Sequence, residues 1–320
     1  MTVATLPHDP LWPRTGTWPR AETLAPGAEV DLALIGVPTW RTSLSPSSAW
    51  QTPSAVREAL ARYSGALIPG RTSRTGSAGG DVIRSIDDLR IADFGDVTEP
   101  DGAEGQQRAI ETVADAAARA RVVVALGGDN SLTVPTALGA WGARVPSAGL
   151  ITLDAHYDLR DGVSNGSPVR RLVEEFGLHG QRIVQIGIAD FANSREYAQR
   201  AMDYGITVVH RDELHRRPME DVFAEALDIA GAGGGPIHVD LDVDVCDRSV
   251  APGCPASVPG GISAYELRTA ARAAGADPRV ESVDLAEVDA AADVPDGRTV
   301  RLAALCVLEV AAGLLSRAAP

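Results

Sequence analysis

The sequence predicts an α/β fold: one parallel sheet with helices on both faces. Two observations carry this expectation. Short Val- and Ile-rich runs are apolar at consecutive positions, as strands covered on both faces are. Helix-length segments rich in Ala, Leu and Arg alternate with them, the pattern of strand–helix–strand crossovers. The strand runs fall at 30–37, 89–94, 122–126, 149–153, 183–188, 206–209, 237–243 and 280–288. The first predicted helix, 53–63, follows Thr52 as its N-cap, with Pro53 at its first position. Further helices are predicted at 106–120, 218–230, 264–274 and 300–315. Residues 1–25, rich in Pro and Trp without periodicity, read as an irregular arm. Residues 26–320 read as a single domain, because no linker divides them. The stretch 70–81, rich in Gly, Ser and Arg, reads as a surface loop.

Composition narrows the function classes. The chain has 320 residues, 43 of them acidic and 29 basic, for a net charge of −14, and every basic residue is Arg. Nucleic-acid or anionic-membrane binding through a basic face is therefore not expected, since attraction to phosphate needs local positive charge. With 45% hydrophobic and 22% charged residues, the chain is not disordered. Three cysteines, Cys246, Cys254 and Cys306, are too few and too scattered for a disulfide framework. No apolar run is long enough to span a membrane, and the first residues lack the apolar centre of a signal peptide. A cytoplasmic location is expected.

In an open parallel sheet the ligand site lies beyond the carboxyl ends of the strands. Three strand runs end in unusual polar residues. One leads into Gly127-Gly128-Asp129-Asn130-Ser131, a second into Asp154-Ala155-His156-Tyr157-Asp158, a third into Asp242-Val243-Asp244. Alternate residues of an extended chain face the same way, so Asp154, His156 and Asp158 can converge, as can Asp242 and Asp244. A single Asp at a strand end is ordinarily a cap or a turn residue; two spaced acidic clusters at two strand ends are not explained that way. Four carboxylates and an imidazole aimed into a crevice need a counter-charge. The donor set is rich in oxygen, which suits Mn²⁺ better than Zn²⁺. Carboxylates able to bridge make a two-metal centre natural.

In order and internal spacing, GGDNS, DAHYD and DVDVCDRSVAPG resemble the motifs of the ureohydrolase family of arginases, agmatinases and formimidoylglutamases. The resemblance runs from Ile35-Gly36-Val37-Pro38 to the region of Glu287. It implies a three-layer α/β/α fold on an eight-stranded, mostly parallel sheet (arginase-like), and a homo-oligomer, trimer or hexamer. It also implies two Mn²⁺ ions per chain whose bridging hydroxide attacks an amidine or guanidine carbon. By position, Asp154 and Asp242 match the bridging ligands, His156 and Asp244 ligands of one metal, and Asp158 a ligand of the other. Glu287 matches the carboxylate that holds the substrate amidinium.

Two departures from the family pattern stand out. The family His of GGDHS is Asn130 here, a weaker donor to a transition metal than imidazole. Asn130 is left as a ligand of a weakened second site, directly or through water, or as a cap of the helix beginning near Ser131. The second departure is a missing His in the loop after DAHYD, which reads Ser164-Asn165-Gly166-Ser167-Pro168, as in the formimidoylglutamase branch. Without that His, Asp158 becomes the candidate for proton transfer. Asn165, Arg160 and Arg170 are the candidate substrate contacts beside Glu287, because guanidinium pairs bidentately with carboxylate. The reading is metal-dependent hydrolysis of N-formimidoyl-L-glutamate to L-glutamate and formamide, a step of histidine degradation. An agmatinase or guanidinobutyrase releasing urea is the alternative within the enzyme class. A catalytically degraded relative acting as a binding or regulatory protein is the alternative outside it.

Overall fold

The computed structural model describes residues 9–67 and 84–317; the loop expected at 70–81 lies outside the described residues. Eight strands form one all-parallel sheet: β1 Val30–Val37, β2 Ile91–Asp96, β3 Ala120–Gly127, β4 Gly149–Leu153, β5 Ile183–Ile188, β6 Thr207–His210, β7 Ile237–Asp242 and β8 Val280–Ala286. Their order across the sheet is β2-β1-β3-β8-β7-β4-β5-β6. Every expected strand is present, with ends displaced by at most a few residues. Among the described residues no helix is long and apolar enough to cross a membrane.

Successive side chains of each strand enter opposite layers, which makes the fold three layers deep. Val122, Val124 and Leu126 of β3 join one core cluster, while Val123 and Ala125 join another. The first layer packs α1 Thr52–Leu60, α7 Met219–Ala230, α8 Ala264–Ala276 and α9 Arg298–Leu314 against the sheet. The second holds α2 Gly102–Ala117, α3 Thr133–Trp141, α4 Pro168–Glu174 and α5 Arg195–Tyr204. A short helix, α6 Arg211–Leu214, follows β6.

Three helices, α4 to α6, were not expected, and the helix expected to begin near Ser131 is α3, whose extent the sequence left open. All nine residues of α3 are buried, so its sequence has no polar stripe to reveal a helical period. Helices α4 and α6 span only seven and four residues, too short for periodicity to register. Thr52 is not the N-cap of α1. It is the first helical residue, and its hydroxyl donates to the Val288 carbonyl, tying α1 to the chain just past Glu287.

The strand order sets the position of the site. Strands β3, β8, β7 and β4 lie side by side at the centre of the sheet, although β3 and β4 are consecutive in the chain. The polar segments that follow these strands are thereby gathered at one edge. Gly128 holds two of them together. Its carbonyl accepts from the Glu287 N–H at 2.9 Å, and a Cβ added there would lie 1.9 Å from the Thr39 carbonyl oxygen. The contact is backbone on both sides, so no side-chain rotation relieves it. Gly128→Ala should cost about 3 kcal/mol of stability, the upper end of ordinary overpacking. Urea unfolding measures it; an unchanged midpoint would show that this contact tolerates a methyl group.

Candidate metal centre and substrate cavity

A cavity of about 500 Å³ opens at the carboxyl edge of the central strands, lined among others by His156, Asp158, Asp242, Asp244 and Glu287. Ligand-capable atoms of Asp154, His156 and Asp244 lie within 4.8 Å of one another. His156 Nδ1 is 2.7 Å from Asp244 Oδ2 and 3.4 Å from Asp154 Oδ1. The chain holds these carboxylates with its own amides. Asp154 accepts from the His156 N–H at 2.6 Å, Asp244 from the Ala155 N–H at 2.9 Å, and Asp242 from the Asp244 N–H at 2.8 Å. Asn193 braces the loop between Asp154 and Asp158, accepting from the Tyr157 N–H and donating to the Ala155 carbonyl. Nothing in the sequence near Asn193 announced that role.

Asp158 and Glu287 adopt φ values of 53° and 62°, in the left-handed region. Phe191, at 64°, is another such non-glycine residue, and it too lines the cavity. Left-handed backbone at a non-glycine residue costs on the order of 1–3 kcal/mol and persists where the surroundings enforce it. At Glu287 the enforcing contacts are visible. Its carboxylate accepts from the Asn130 N–H and from Asn165 Nδ2, each at 2.8 Å.

The electrostatics are those of crowded anions. Burial, and then the facing Asp244, raise Asp154 to about 6 despite the His156 ring. Asp158 and Asp242 are pushed well above the carboxylate range, again by burial first and then by Asp154 and Asp244 respectively. Burial works against the charge on His156, yet Asp244 and Asp154 outweigh it and raise the ring to about 12. Asp244 falls below its ordinary value because the imidazolium overcomes burial. Glu287 rises to about 8 through burial and the nearby Asp129. Protons thus fill the place of a cation, and the donor chemistry fits hard or borderline divalent metals. The close group of three does not include Asp158 or Asp242, so the preformed part of the centre is the one built on His156.

The sequence-derived site is corrected at two positions. Asn130 turns its amide nitrogen, not its oxygen, to the carboxylates: Nδ2 donates to Asp158 Oδ2 at 2.6 Å, and Oδ1 accepts from the Thr133 hydroxyl at 2.8 Å. Ligation through the oxygen needs that amide turned over, with the Thr133 hydroxyl then accepting from Nδ2 where it now donates to Oδ1. Nor does Asn130 cap the turn that follows; Asp129 does, accepting from the Ser131 N–H. Arg170 is not at the cavity. It is 8% exposed, and its guanidinium is spent on Glu174, Glu175 and the carbonyls of Arg160 and Gly162. It anchors the loop that carries Arg160. Arg160 does line the cavity, its guanidinium carbon 5.9 Å from the Tyr197 ring centre, with no carboxylate partner among the described residues.

Two measurements follow. In the metal-free folded chain, Asp154 holds its proton from 3.8 up to about 6, Glu287 from 4.5 up to about 8, and His156 from 6.5 up to about 12. The unfolded chain binds fewer protons throughout those windows, so metal-free stability should fall as pH rises across them. Mn²⁺ takes the place of these protons, so the Tm gain on adding it should grow with pH; equal gains at about pH 5 and about pH 8 would contradict this. Isothermal titration with Mn²⁺ should resolve two unequal affinities, and Asn130→His should tighten the weaker one by supplying imidazole beside Asp158. Equal affinities in the wild type would remove the asymmetry.

Residues 30–313 match the arginase family. The chain is 33% identical over 296 residues to formimidoylglutamase of Halalkalibacterium halodurans, covering 90% of this chain and 88% of that protein. The crystal structure of formimidoylglutamase from Bacillus subtilis superposes with a TM-score of 0.84 and 28% identity, over 99% of this chain and 96% of that one. Trypanosoma cruzi formiminoglutamase, solved with Mn²⁺, shares the fold at a TM-score of 0.77 and 24% identity, over 90% of this chain and 94% of that one. An eight-stranded parallel sheet with flanking helices is the architecture this chain shares with them. The chain belongs to the arginase family.

Proposed function

We propose that this protein hydrolyses N-formimidoyl-L-glutamate to L-glutamate and formamide, with Mn²⁺ as its metal. The observation that carries the reading is the charge layout of the cavity. Its floor is acidic, with Asp158, Asp242, Asp244 and Glu287, while Arg160, which has no carboxylate partner among the described residues, stands on its wall over Tyr197. A substrate with a cationic amidine at one end, a carboxylate on the neighbouring carbon and a second carboxylate at the far end suits both charges. Agmatine, cationic at both ends, has no use for Arg160. The relatives named formimidoylglutamase support the same substrate.

Asp154, His156, Asp242 and Asp244 would hold one ion, and Asp154, Asp242 and Asp158 a second. Divalent ions bound there lower the pKa of coordinated water to about 7 and so supply hydroxide at neutral pH. The chain's own residues do the rest. Glu287 accepts hydrogen bonds from the amidinium and keeps its carbon facing the acidic floor. Asn165, donating to Glu287 and accepting from the Leu44 N–H at 3.1 Å, fixes that carboxylate against the opposite loop. Arg160 pairs with a substrate carboxylate, and Asp158 takes up the proton released as water adds to the amidine carbon and passes it to the leaving nitrogen.

The test is turnover by Mn²⁺-loaded protein on formimidoylglutamate, agmatine and 4-guanidinobutyrate, reading formamide and urea separately. Formamide from the first supports the proposal. Urea from a guanidine, with formimidoylglutamate untouched, selects the agmatinase or guanidinobutyrase reading, and no turnover on any selects a binding or regulatory role. Arg160→Gln should raise KM for formimidoylglutamate about 10- to 100-fold, the loss of one charged hydrogen-bonding pair, with kcat nearly unchanged. An unaltered KM would place the substrate carboxylates elsewhere.

A further inference from the structure

Arg160 shares its cavity with Asp158, Asp242, Asp244 and Glu287, and Asp161 follows it in sequence. Guanidinium and carboxylate form strong, often bidentate pairs. Yet Arg160, an exposed side chain, has no carboxylate partner among the described residues. Something must hold it apart from the acids around it. Its stem is laid down first: a Cβ added at Gly166 would lie 2.7 Å from Arg160 Cδ and 3.0 Å from its Nε. The arginine therefore runs directly over the loop backbone at Gly166, whose carbonyl accepts from the Arg160 N–H at 2.9 Å.

Helix α5 supplies the rest. Tyr197 and Arg200 stand three residues apart on it, and so on one face. Both meet the segment that carries Arg160. The Tyr197 ring centre is 5.9 Å from the Arg160 guanidinium carbon, within the range of a cation–π contact. Arg200 Nη1 donates to the Leu159 carbonyl at 2.7 Å and to Asp161 Oδ1 at 2.8 Å. The acid nearest to Arg160 in sequence is thereby already engaged. The first turn of α5 is itself fixed, since the Tyr197 N–H donates to the Ser194 hydroxyl oxygen at 3.2 Å and the Tyr197 side chain, half-buried, packs against the second-layer core. An aromatic face attracts a guanidinium without neutralising it, so the charge stays available to an anion.

We propose that Tyr197 and Arg200 are positioning residues that make the cavity selective for a substrate with an anionic end: Tyr197 holds the Arg160 guanidinium by its ring face, and Arg200 withholds Asp161 from it. The inference rests on the reading of Arg160 as the contact for a substrate carboxylate. Paired with Asp161, Arg160 would meet that carboxylate already neutralised. Drawn onto the floor, it would take the place of the substrate amidinium beside Glu287. One face of α5 prevents both.

Steady-state kinetics of Mn²⁺-loaded protein on formimidoylglutamate test it. Tyr197→Leu should raise KM about 3- to 10-fold, the range of one cation–π contact, with kcat nearly unchanged. Tyr197→Phe, which keeps the ring face, should recover most of that loss. In an Arg160→Gln background Tyr197→Leu should add nothing, because it acts through Arg160 alone. Arg200→Met should also raise KM, and adding Asp161→Asn should bring it back, which loss of the Leu159 contact alone would not allow. This pair keeps the test open should Tyr197→Leu fail to fold. An unchanged KM in Tyr197→Leu, a loss that adds to that of Arg160→Gln, or no recovery on adding Asp161→Asn overturns the proposal. Should the wild type leave formimidoylglutamate untouched, the substrate reading fails by itself, and a crystal structure of Tyr197→Leu decides the positioning: a guanidinium moved onto Asp161 or the acidic floor supports it, and one still in place overturns it.

Discussion

Asp154, Asp158, Asp242, Asp244 and Glu287 are held at one end of three neighbouring strands, β8, β7 and β4, each residue nearly closed to water, with one imidazole among them. Their mutual repulsion is the constraint around which the rest of the chain is arranged. Five such groups cannot all ionise in a buried space, and the raised pKa values of Asp154, Asp158, Asp242 and Glu287 express that conflict. Cations relieve it and protons relieve it only in part. A protein that retains so unfavourable a cluster does so for what the cluster binds, which makes the acidic floor a statement about ligands before it is one about stability.

The scaffold meets this constraint with backbone rather than with basic side chains. Amides of Ala155, His156 and Asp244 donate to the carboxylates, so the anions are stabilised without occupying the place of a metal. Arginine is kept away from the floor. Arg170 is tied to Glu174 and Glu175, and the buried Arg211 donates to the Gly187 and Val245 carbonyls. Arg160 alone among these is left at the cavity wall without an acidic partner. The net charge of −14 is thus distributed with a purpose: anions converge where cations must bind, and one guanidinium waits where an anionic substrate end would lie.

Most of this was legible in the chain where chemistry repeats at short spacing. The DAHYD and DVD segments announce themselves by their spaced acidic residues, and the structure brings Asp154, His156 and Asp244 together, though through a bend after β4 and a 3-10 turn at Val243–Val245 and not through the extended alternation expected. The eight strands were legible because each is apolar on both faces. What could not be read depends on contacts distant in sequence. Arg160 and Arg170 are equally good carboxylate binders as residues; only the fold places Glu174 and Glu175 against one of them. Asn130 offers an oxygen or a nitrogen, and only the fold brings Asp158 and Asp154 against it, whose oxygens accept from the nitrogen. Helix α3 has no polar face because it lies wholly inside.

Polar residues isolated within apolar runs form a third class, and they shift the picture of the centre. Thr152, Gln185 and Asp284 each sit alone among aliphatic neighbours, and singly each reads as noise. Registry across β4, β5, β7 and β8 turns them, with Asp240, into a layer, because in-register residues of parallel strands share a face. A strand that must end in an acidic ligand inherits a problem one layer down: side chains there lie close enough to feel its charge. Asp154 and Asp158 indeed act on Asp240, raising its pKa alongside burial and Asp284. Apolar residues in that layer would isolate the ligand carboxylates in a poorly polarisable medium, whereas polar side chains one layer down can answer their field. The site is therefore better described as two stacked polar layers on one sheet face than as a set of ligands at its rim.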